Sequence, residues 1–422
     1  MSDKTPVYIK DVLVKNFKCF KGEDTFSFVD EKGDWCRWTV FLGNNNTGKT
    51  NLLKAIAALE PFNFIQDLED KKRINEASYM PLGYAKRFFY EDEFFVHGIN
   101  IIPSTRLYEK TMHRFFDFGY DAASTSISND NGPLKSLSIY GYGVVRNIES
   151  KRIKTIEEKK LNADNLFFNS NLIDFEDWYL QLDYGAKNDQ EKAAQRRDLL
   201  KEVITSNVFP EINDIESVTD EQLNNYIKYK TPNGWYKFSE LGFGYQSTLS
   251  WMGDFCKKMF ERYPESENPL KEPAVLLIDE LDLHLHPQWQ REIVGYLSNI
   301  FTATQFIVTT HSPFILQSMD NVNLYTLQRE GDHTLVEHHG SNRSFVGWRI
   351  EEILSEIMGL KENIQTDTYQ ELMKQFDEAL DQENYQKGKE AFDELKKILH
   401  PQSAERKLLD IQFSQLIPND KA

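Results

Sequence analysis

Cysteine is scarce in this chain and forms no pattern: Cys19, Cys36 and Cys256 are scattered, without metal-ligand spacing. That excludes a disulfide framework and suits a reducing compartment. Long apolar runs are missing too. No segment approaches the ~20 apolar residues that a membrane-spanning helix needs. The opening MSDKTPVYIK lacks the apolar stretch of a secretory signal. The expectation is a soluble, cytoplasmic chain with no membrane partner. Positive charge is in deficit, with Lys+Arg 49 against Asp+Glu 66 and a net charge of −17. Such a surface repels phosphate backbones and argues against tight, autonomous nucleic-acid binding, although a local basic patch could override it. Serine-hydrolase, zinc-hydrolase and nuclease signatures are also lacking: there is no G-x-S-x-G, no zinc-ligand pattern and no HNH-like His/Asn cluster. Any cleavage of nucleic acid would therefore come from a partner protein. No internal repeat or long heptad array occurs, which excludes a solenoid and a coiled-coil arm.

What is present is a core-forming chain. Its 422 residues are 40% hydrophobic and 13% aromatic, as in a folded globular protein. Residues 8–42 read as strand–turn–strand, with WTVFLG as a short apolar run ending in Gly43. A helical pattern, NLLKAIAAL, follows directly. LKSLSIYGYGVV is a clear strand, and residues 162–230 read as helical. From 236 to 316 helix and strand alternate: STLSWMGDFCKKMFERY, AVLLID, PQWQREIVGYLSNIF and QFIVTT. Alternation of this kind implies a mainly parallel sheet covered on both faces. From about 365 the pattern becomes a helical hairpin and a final helix, with Tyr369, Leu372, Met373 and Phe376 at i, i+3, i+4 spacing. The reading is thus an α/β nucleotide-binding domain in two halves, 1–60 and 235–340. A mixed, largely helical subdomain, 61–234, is inserted between them, and a helical tail, 341–422, packs on the core or docks a partner.

The chemistry centres on GNNNTGKT, residues 43–50, which fits G-x-x-x-x-G-K-[ST]. Gly43 and Gly48 allow backbone that a Cβ would block. The N–H groups of Asn44, Asn45, Asn46, Thr47 and Gly48 can then cradle phosphate at a helix N-terminus. Lys49 brings a cation to the β/γ-phosphates, and Thr50 offers a hydroxyl to Mg²⁺. ATP with Mg²⁺ is the expected cofactor pair. AVLLIDE then delivers Asp279 and Glu280 at a strand tip, Asp279 for the metal and Glu280 for the attacking water. QFIVTTHSP repeats the geometry, and its His311 can contact the γ-phosphate or that water. The basic and aromatic stretches 85–90, 106–116 and 144–154 could touch nucleic acid or be ordinary surface.

Taken together these residues resemble the ABC-type ATPases of the RecF/SMC-like branch. VLVKNFKCF is similar to the opening strand of that branch, DELDLHLHP to its Walker B and D-loop, and THSP to its switch-histidine segment. The resemblance maps the family signature onto FSELGFGYQST, with Gly244 and Ser247 as ATP-contacting positions and Gly242 where the family usually has Ser. It implies an ABC-type head: a mixed, mainly parallel sheet flanked by helices, with an inserted helical subdomain and an α-helical C-terminal tail. Two copies would sandwich ATP in a homodimer or larger homo-oligomer. The whole layout, with EEILSEIMGL before the helical hairpin, is similar to the Septu-type anti-phage ATPases and their retron-linked relatives. That likeness implies a regulatory ATPase with Glu280, His311 and Lys49 as catalytic residues. It also implies an HNH-type nuclease partner, and nucleic acid reached through the complex. Two other functions compete: a nucleotide-held scaffold with negligible turnover, and a repair clamp that grips DNA itself.

Overall fold

Three segments, Trp38–Gly43, Ala274–Ile278 and Thr304–Thr310, are buried at nearly every position and form the centre of the main sheet. The computed structural model describes residues 7–57, 95–103, 115–119, 122–124, 137–147, 162–206, 208–360 and 366–416. The expected basic and aromatic stretch 85–90, most of 106–116 and the end of 144–154 lie outside them. Two compact units divide the chain, Met1–Trp348 and Arg349–Ala422.

Walking along the first unit, strands β1 (Val7–Phe17) and β2 (Phe20–Ser27) form a hairpin that leads into β3 (Trp38–Gly43) and helix α1 (Lys49–Ala57). Strands β4 (Phe95–Pro103), β5 (Phe115–Gly119) and β6 (Ala122–Ser124) complete an antiparallel sheet in the order β2-β1-β4-β5-β6. Next come β7 (Ile139–Tyr142) and helices α2 (Asp164–Phe168), α3 (Phe175–Lys187) and α4 (Glu191–Thr205). A meander of β8 (Asp214–Thr219), β9 (Asn225–Thr231) and β10 (Gly234–Lys237) precedes α5 (Phe243–Arg262). The unit then runs through β11 (Ala274–Ile278), α6 (Pro287–Ile300), β12 (Thr304–Thr310) and α7 (Pro313–Gln317) to the hairpin β13 (Asn323–Glu330) and β14 (His333–His338).

The main sheet has the order β14-β13-β3-β12-β11-β7, parallel throughout except for the β13–β14 hairpin at its edge. β11 and β12 are buried along their full length, as strands covered on both faces must be. This is the mainly parallel α/β sheet flanked by helices that the sequence implies. The middle of the chain also supplies its outer strand, since β7 pairs with β11 from Val275↔Ile139 to Ile278↔Tyr142. Aromatic and aliphatic side chains of both N-terminal strands, β3 and α1 (Phe17, Phe26, Phe41, Leu52 and Ile56 among them) share one core. Gln305 clamps the two sheets together: its amide accepts from Ile9 N–H at 2.9 Å and donates to Ile9 C=O at 2.9 Å.

One expectation is corrected. Residues 162–230 are not helical throughout, because the helices end at Thr205 and residues 214–231 form two strands. DIESVT and NYIKYKT alternate with period two, burying Ile215, Ile227 and Tyr229 while Glu216 and Lys230 face out. The charged helix just before them masks that signal.

The second unit holds a short turn of helix at Ile350–Glu352, then α8 (Asp367–Asp381), α9 (Tyr385–Ile398) and α10 (Ala404–Ser414). Thr366, Asn384 and Ser403 cap these helices, each side chain accepting from a first-turn N–H. Phe376, Phe392, Leu395 and Phe413 form their core, with Phe392 and Phe413 stacked at 4.2 Å. Among the described residues no helix is long and apolar enough to cross a membrane.

Candidate active site

β3 ends where a side chain will not fit. A Cβ on Gly43 would lie 2.3 Å from the Leu327 carbonyl oxygen, so the close approach of β13 demands glycine. The loop then turns through Asn46 (φ 64) and Gly48 (φ 93), both left-handed, before α1 begins at Lys49. Thr47 steadies it, its hydroxyl donating to the Asn44 carbonyl at 2.9 Å while its own carbonyl accepts from Thr334 Oγ1 at 3.0 Å. Such a loop, ahead of a helix N-terminus, is a concave anion receptor. The Lys49 ammonium is buried and folded into it, donating to the carbonyls of Gly43 (2.7 Å) and Asn44 (2.9 Å). Burial lowers its pKa, and Asp279, Glu280 and Asp282 pull it back up.

The neighbouring strand tips bring the carboxylates to this loop. Thr50 Oγ1 donates to Asp279 Oδ2 at 2.6 Å, and Thr309 Oγ1 donates to Asp279 Oδ1 at 2.6 Å. Thr309 Oγ1 also accepts from the Glu280 N–H at 2.7 Å, which holds β11 and β12 in register at their C-terminal ends. Glu280 itself is left-handed, φ 50, an arrangement that costs about 1–3 kcal/mol and persists only when its surroundings impose it. They do so from both sides. The buried Arg146 guanidinium donates to the carbonyls of Asp279 (2.8 Å) and Glu280 (3.0 Å), with Nε on Gly143 C=O at 3.1 Å. Burial lowers the Arg146 pKa to about 10, against the pull of three nearby carboxylates.

The loop after Glu280 is tied to the residues around His311. Thr310 Oγ1 donates to Asp282 Oδ1 at 2.5 Å, and His311 N–H donates to the same oxygen at 3.3 Å. Gln290 accepts from Ser312 Oγ at 2.6 Å and donates to Leu285 C=O at 2.8 Å. His311 is pushed below its ordinary pKa by burial and by Lys49, with the carboxylates opposing, so its imidazole is neutral near pH 7. Gly43, Asn44, Asn45, Asn46, Thr47, Gly48, Lys49, Thr50, Asp279, Glu280 and His311 therefore share one end of the parallel sheet.

Gly244 and Ser247 belong to a different group. Both lie in the first turns of α5, which starts after Gly242. A Cβ on Gly244 would come within 2.4 Å of the His284 carbonyl, so this helix seats directly on the 281–286 loop. Ser247 is buried, and its hydroxyl finds no hydrogen-bond partner among the described residues. It lines a pocket of about 340 Å³ with Arg146, Asn147, Phe243, Gln246 and His284.

A magnesium ion suits the first group. Mg²⁺ takes hard oxygen donors, usually one or two carboxylates completed by substrate phosphates and water. The Thr50 hydroxyl and Asp279 carboxylate, in hydrogen-bond contact beside the phosphate cradle, supply that donor set. Arg146, Thr309, Thr310 and Gln290 are the positioning residues that motif spacing did not single out. The two threonines show in the sequence only as polar ends to an apolar strand, and Arg146 only as part of the basic stretch 144–154, where the structure buries it against backbone carbonyls rather than leaving it at the surface.

The sequence family described as "AAA domain, putative AbiEii toxin, Type IV TA system" matches residues 39–317. The chain is 31% identical over 248 residues to the Septu protein PtuA of Bacillus thuringiensis, covering 57% of this chain and 62% of that protein. It is 25% identical over 356 residues to the "Retron Vc95 probable ATPase" of Vibrio cholerae, covering 67% of each. The match thus spans less than two thirds of the length of the Septu relative. Among solved structures, the SMC head domain from Thermotoga maritima is similar with a TM-score of 0.42 and 17% identity, covering 78% of this chain and 98% of that one.

Proposed function

We propose, from the premise that this chain belongs to the P-loop ATPase family described as "AAA domain, putative AbiEii toxin, Type IV TA system" and resembles the Septu ATPase, that it hydrolyses ATP as the switch of an anti-phage defence complex. One observation carries the reading. Thr50, Asp279, Thr309 and Glu280 form a single hydrogen-bonded chain beside the phosphate loop, with Arg146 holding the carboxylate-bearing turn from behind.

ATP enters with its β- and γ-phosphates in the 43–50 loop, and the Lys49 ammonium moves from the loop carbonyls onto phosphate oxygens. Thr50 and Asp279 would hold Mg²⁺, which would supply neutralisation of charge on the phosphate oxygens. Glu280 orients the attacking water and accepts its proton, and neutral His311 hydrogen-bonds the water or the γ-phosphate. The orphan Ser247 hydroxyl and the Gly244 N–H face ATP held by a second copy, so ATP joins two copies and hydrolysis releases them. The second unit docks a partner effector, an HNH-type nuclease, whose activity follows the nucleotide state.

Gly242 supports a second reading. It caps α5 with no side chain, so the hydroxyl that the resemblance leads one to expect is missing, and a scaffold with negligible turnover would need no such group. Phosphate release by wild type, Lys49→Ala and Glu280→Gln decides between them. Turnover that both substitutions abolish supports the switch. Nucleotide binding without turnover in the wild type supports the scaffold, and no Lys49-dependent nucleotide binding overturns both.

A further inference from the structure

The meander that feeds the signature helix carries a surface unlike the rest of this acidic chain. Its inner face is apolar, with Ile215, Ile227 and Tyr229 buried. Strand alternation places Tyr226, Lys228 and Lys230 of β9 on the outer face, and register sets Lys237 beside Lys228 and Trp235 beside Lys230. The aromatic rings stand among the ammonium groups. Lys237 Nζ lies 4.5 Å and Lys228 Nζ 6.0 Å from the Tyr226 ring centre, and Lys230 Nζ lies 5.8 Å from that of Trp235. Trp235 is 40% exposed although it sits in a short, ordered strand.

Acidic groups are present and mostly engaged. Asp214, opposite Lys230, is paired with Lys201 at 2.7 Å. Asp220 accepts from the N–H groups of Gln222 and Asn224 within its own turn. Glu216 lies opposite Lys228, the Asp220 carboxylate feels the Lys237 ammonium, and Glu221 and Glu240 stand in the adjoining turns. The outer face thus groups three lysines around two aromatic rings on a chain of net charge −17.

We infer that the outer face of β8–β10 binds single-stranded nucleic acid, with Lys228, Lys230 and Lys237 on the phosphates and Trp235 as the stacking platform for a base. Charge alone would accept any polyanion. The exposed Trp235 ring and the half-buried Tyr226 ring, interleaved with lysines on an antiparallel sheet, add a π-surface that bases use and a carboxylate chain cannot. A duplex keeps its bases stacked inward and gains only the electrostatic part. The placement matters because β10 runs through Phe238–Glu240 straight into Gly242 and α5, so the ligand would lie one turn from the signature residues.

The test is fluorescence anisotropy on the full chain with a labelled single-stranded DNA of about 20 nucleotides, longer than a single platform covers. Its duplex and polyglutamate serve as competitors. Wild type should prefer the single strand. Trp235→Ala should weaken it roughly 5- to 150-fold, the range of one lost base stack. Lys228→Glu/Lys230→Glu should lower the slope of log affinity against log salt by about 1.4, the ssDNA increment for two phosphates. Lys387→Glu/Lys389→Glu, an equal charge change on exposed lysines of the second unit, should leave affinity near wild type. Circular dichroism and thermal melting show that each variant is folded. Any of three outcomes overturns the inference: no binding, binding indifferent to Trp235→Ala and to the β9 lysines, or displacement by polyglutamate as readily as by oligonucleotide. The last would mark an acidic-polypeptide site instead.

Discussion

Glu280 is held in a strained, left-handed backbone by Thr309 on its N–H and Arg146 on its carbonyl, and the proposed chemistry asks most of that residue. Glu280→Gln preserves shape and loses basicity. It should cut turnover by about 10²- to 10⁴-fold while ATP remains bound, checked by phosphate release and a nucleotide-binding titration. Equal loss of binding and turnover would instead place Glu280 in nucleotide capture. His311 gives a pH dependence with a definite sign. Its folded pKa lies below the unfolded value of about 6.5, so the unfolded chain binds a proton that the folded chain refuses. The stability this contributes is complete above about pH 6.5 and is lost as pH falls through the lower, folded pKa. His338 and His339 are shifted the same way by burial, so wild type retains part of the effect from them. Urea midpoints between pH 7.5 and 5 should therefore fall more steeply for wild type than for His311→Gln, a pH window bracketing the unfolded histidine value of about 6.5. Parallel curves would remove His311 as a titrating contributor.

At the scale of elements, much of the architecture was legible because burial leaves an unambiguous trace. WTVFLG, AVLLI and QFIVTT could only be strands covered on both faces, and the glycine loop after the first located the phosphate cradle. The meander was not legible, because its period-two alternation is short and follows a strongly helical charged segment. Nor was the Gln305 clamp, since a glutamine in an apolar strand shows nothing of the Ile9 backbone it satisfies some 296 positions away. That clamp is testable. Gln305→Leu leaves both Ile9 groups buried and unpaired, and should destabilise the first unit by about 2–4 kcal/mol in chemical denaturation. A change within the usual surface range of about ±0.5 kcal/mol would show that the sheets hold each other by apolar contact alone. In the second unit, Phe392 stacks on Phe413 and lies near Phe376, so Phe392→Ala should cost that unit about 3–5 kcal/mol. ATP binding at the 43–50 loop should survive, because the truncated ring belongs to a core built wholly from the second unit. Loss of nucleotide binding alongside loss of the helical signal would show that the two units fold as one.

For the whole molecule, charge constrains the proposed assembly. Each copy carries −17, and the bound nucleotide adds more negative charge at the surface where two copies meet. Long-range repulsion must then oppose association, and only local contacts (the phosphate oxygens against Gly244 N–H and Ser247) can favour it. The two act over different distances. Salt screens the first beyond a Debye length of about 10 Å at 0.1 M, while desolvated contacts at an interface are screened much less. Raising ionic strength from about 0.05 to 0.3 M should therefore strengthen ATP-dependent dimerisation of Glu280→Gln, whose bound ATP persists, as measured by light scattering. Lys49→Ala should stay monomeric across the range, since it lacks the nucleotide that supplies the local contacts. A dimer that weakens with salt would mean that attraction between oppositely charged patches drives association, and the signature's hold on phosphate would then be secondary. A dimer indifferent to both salt and Lys49 would be an apolar interface independent of ATP, and the switch would lose its mechanism.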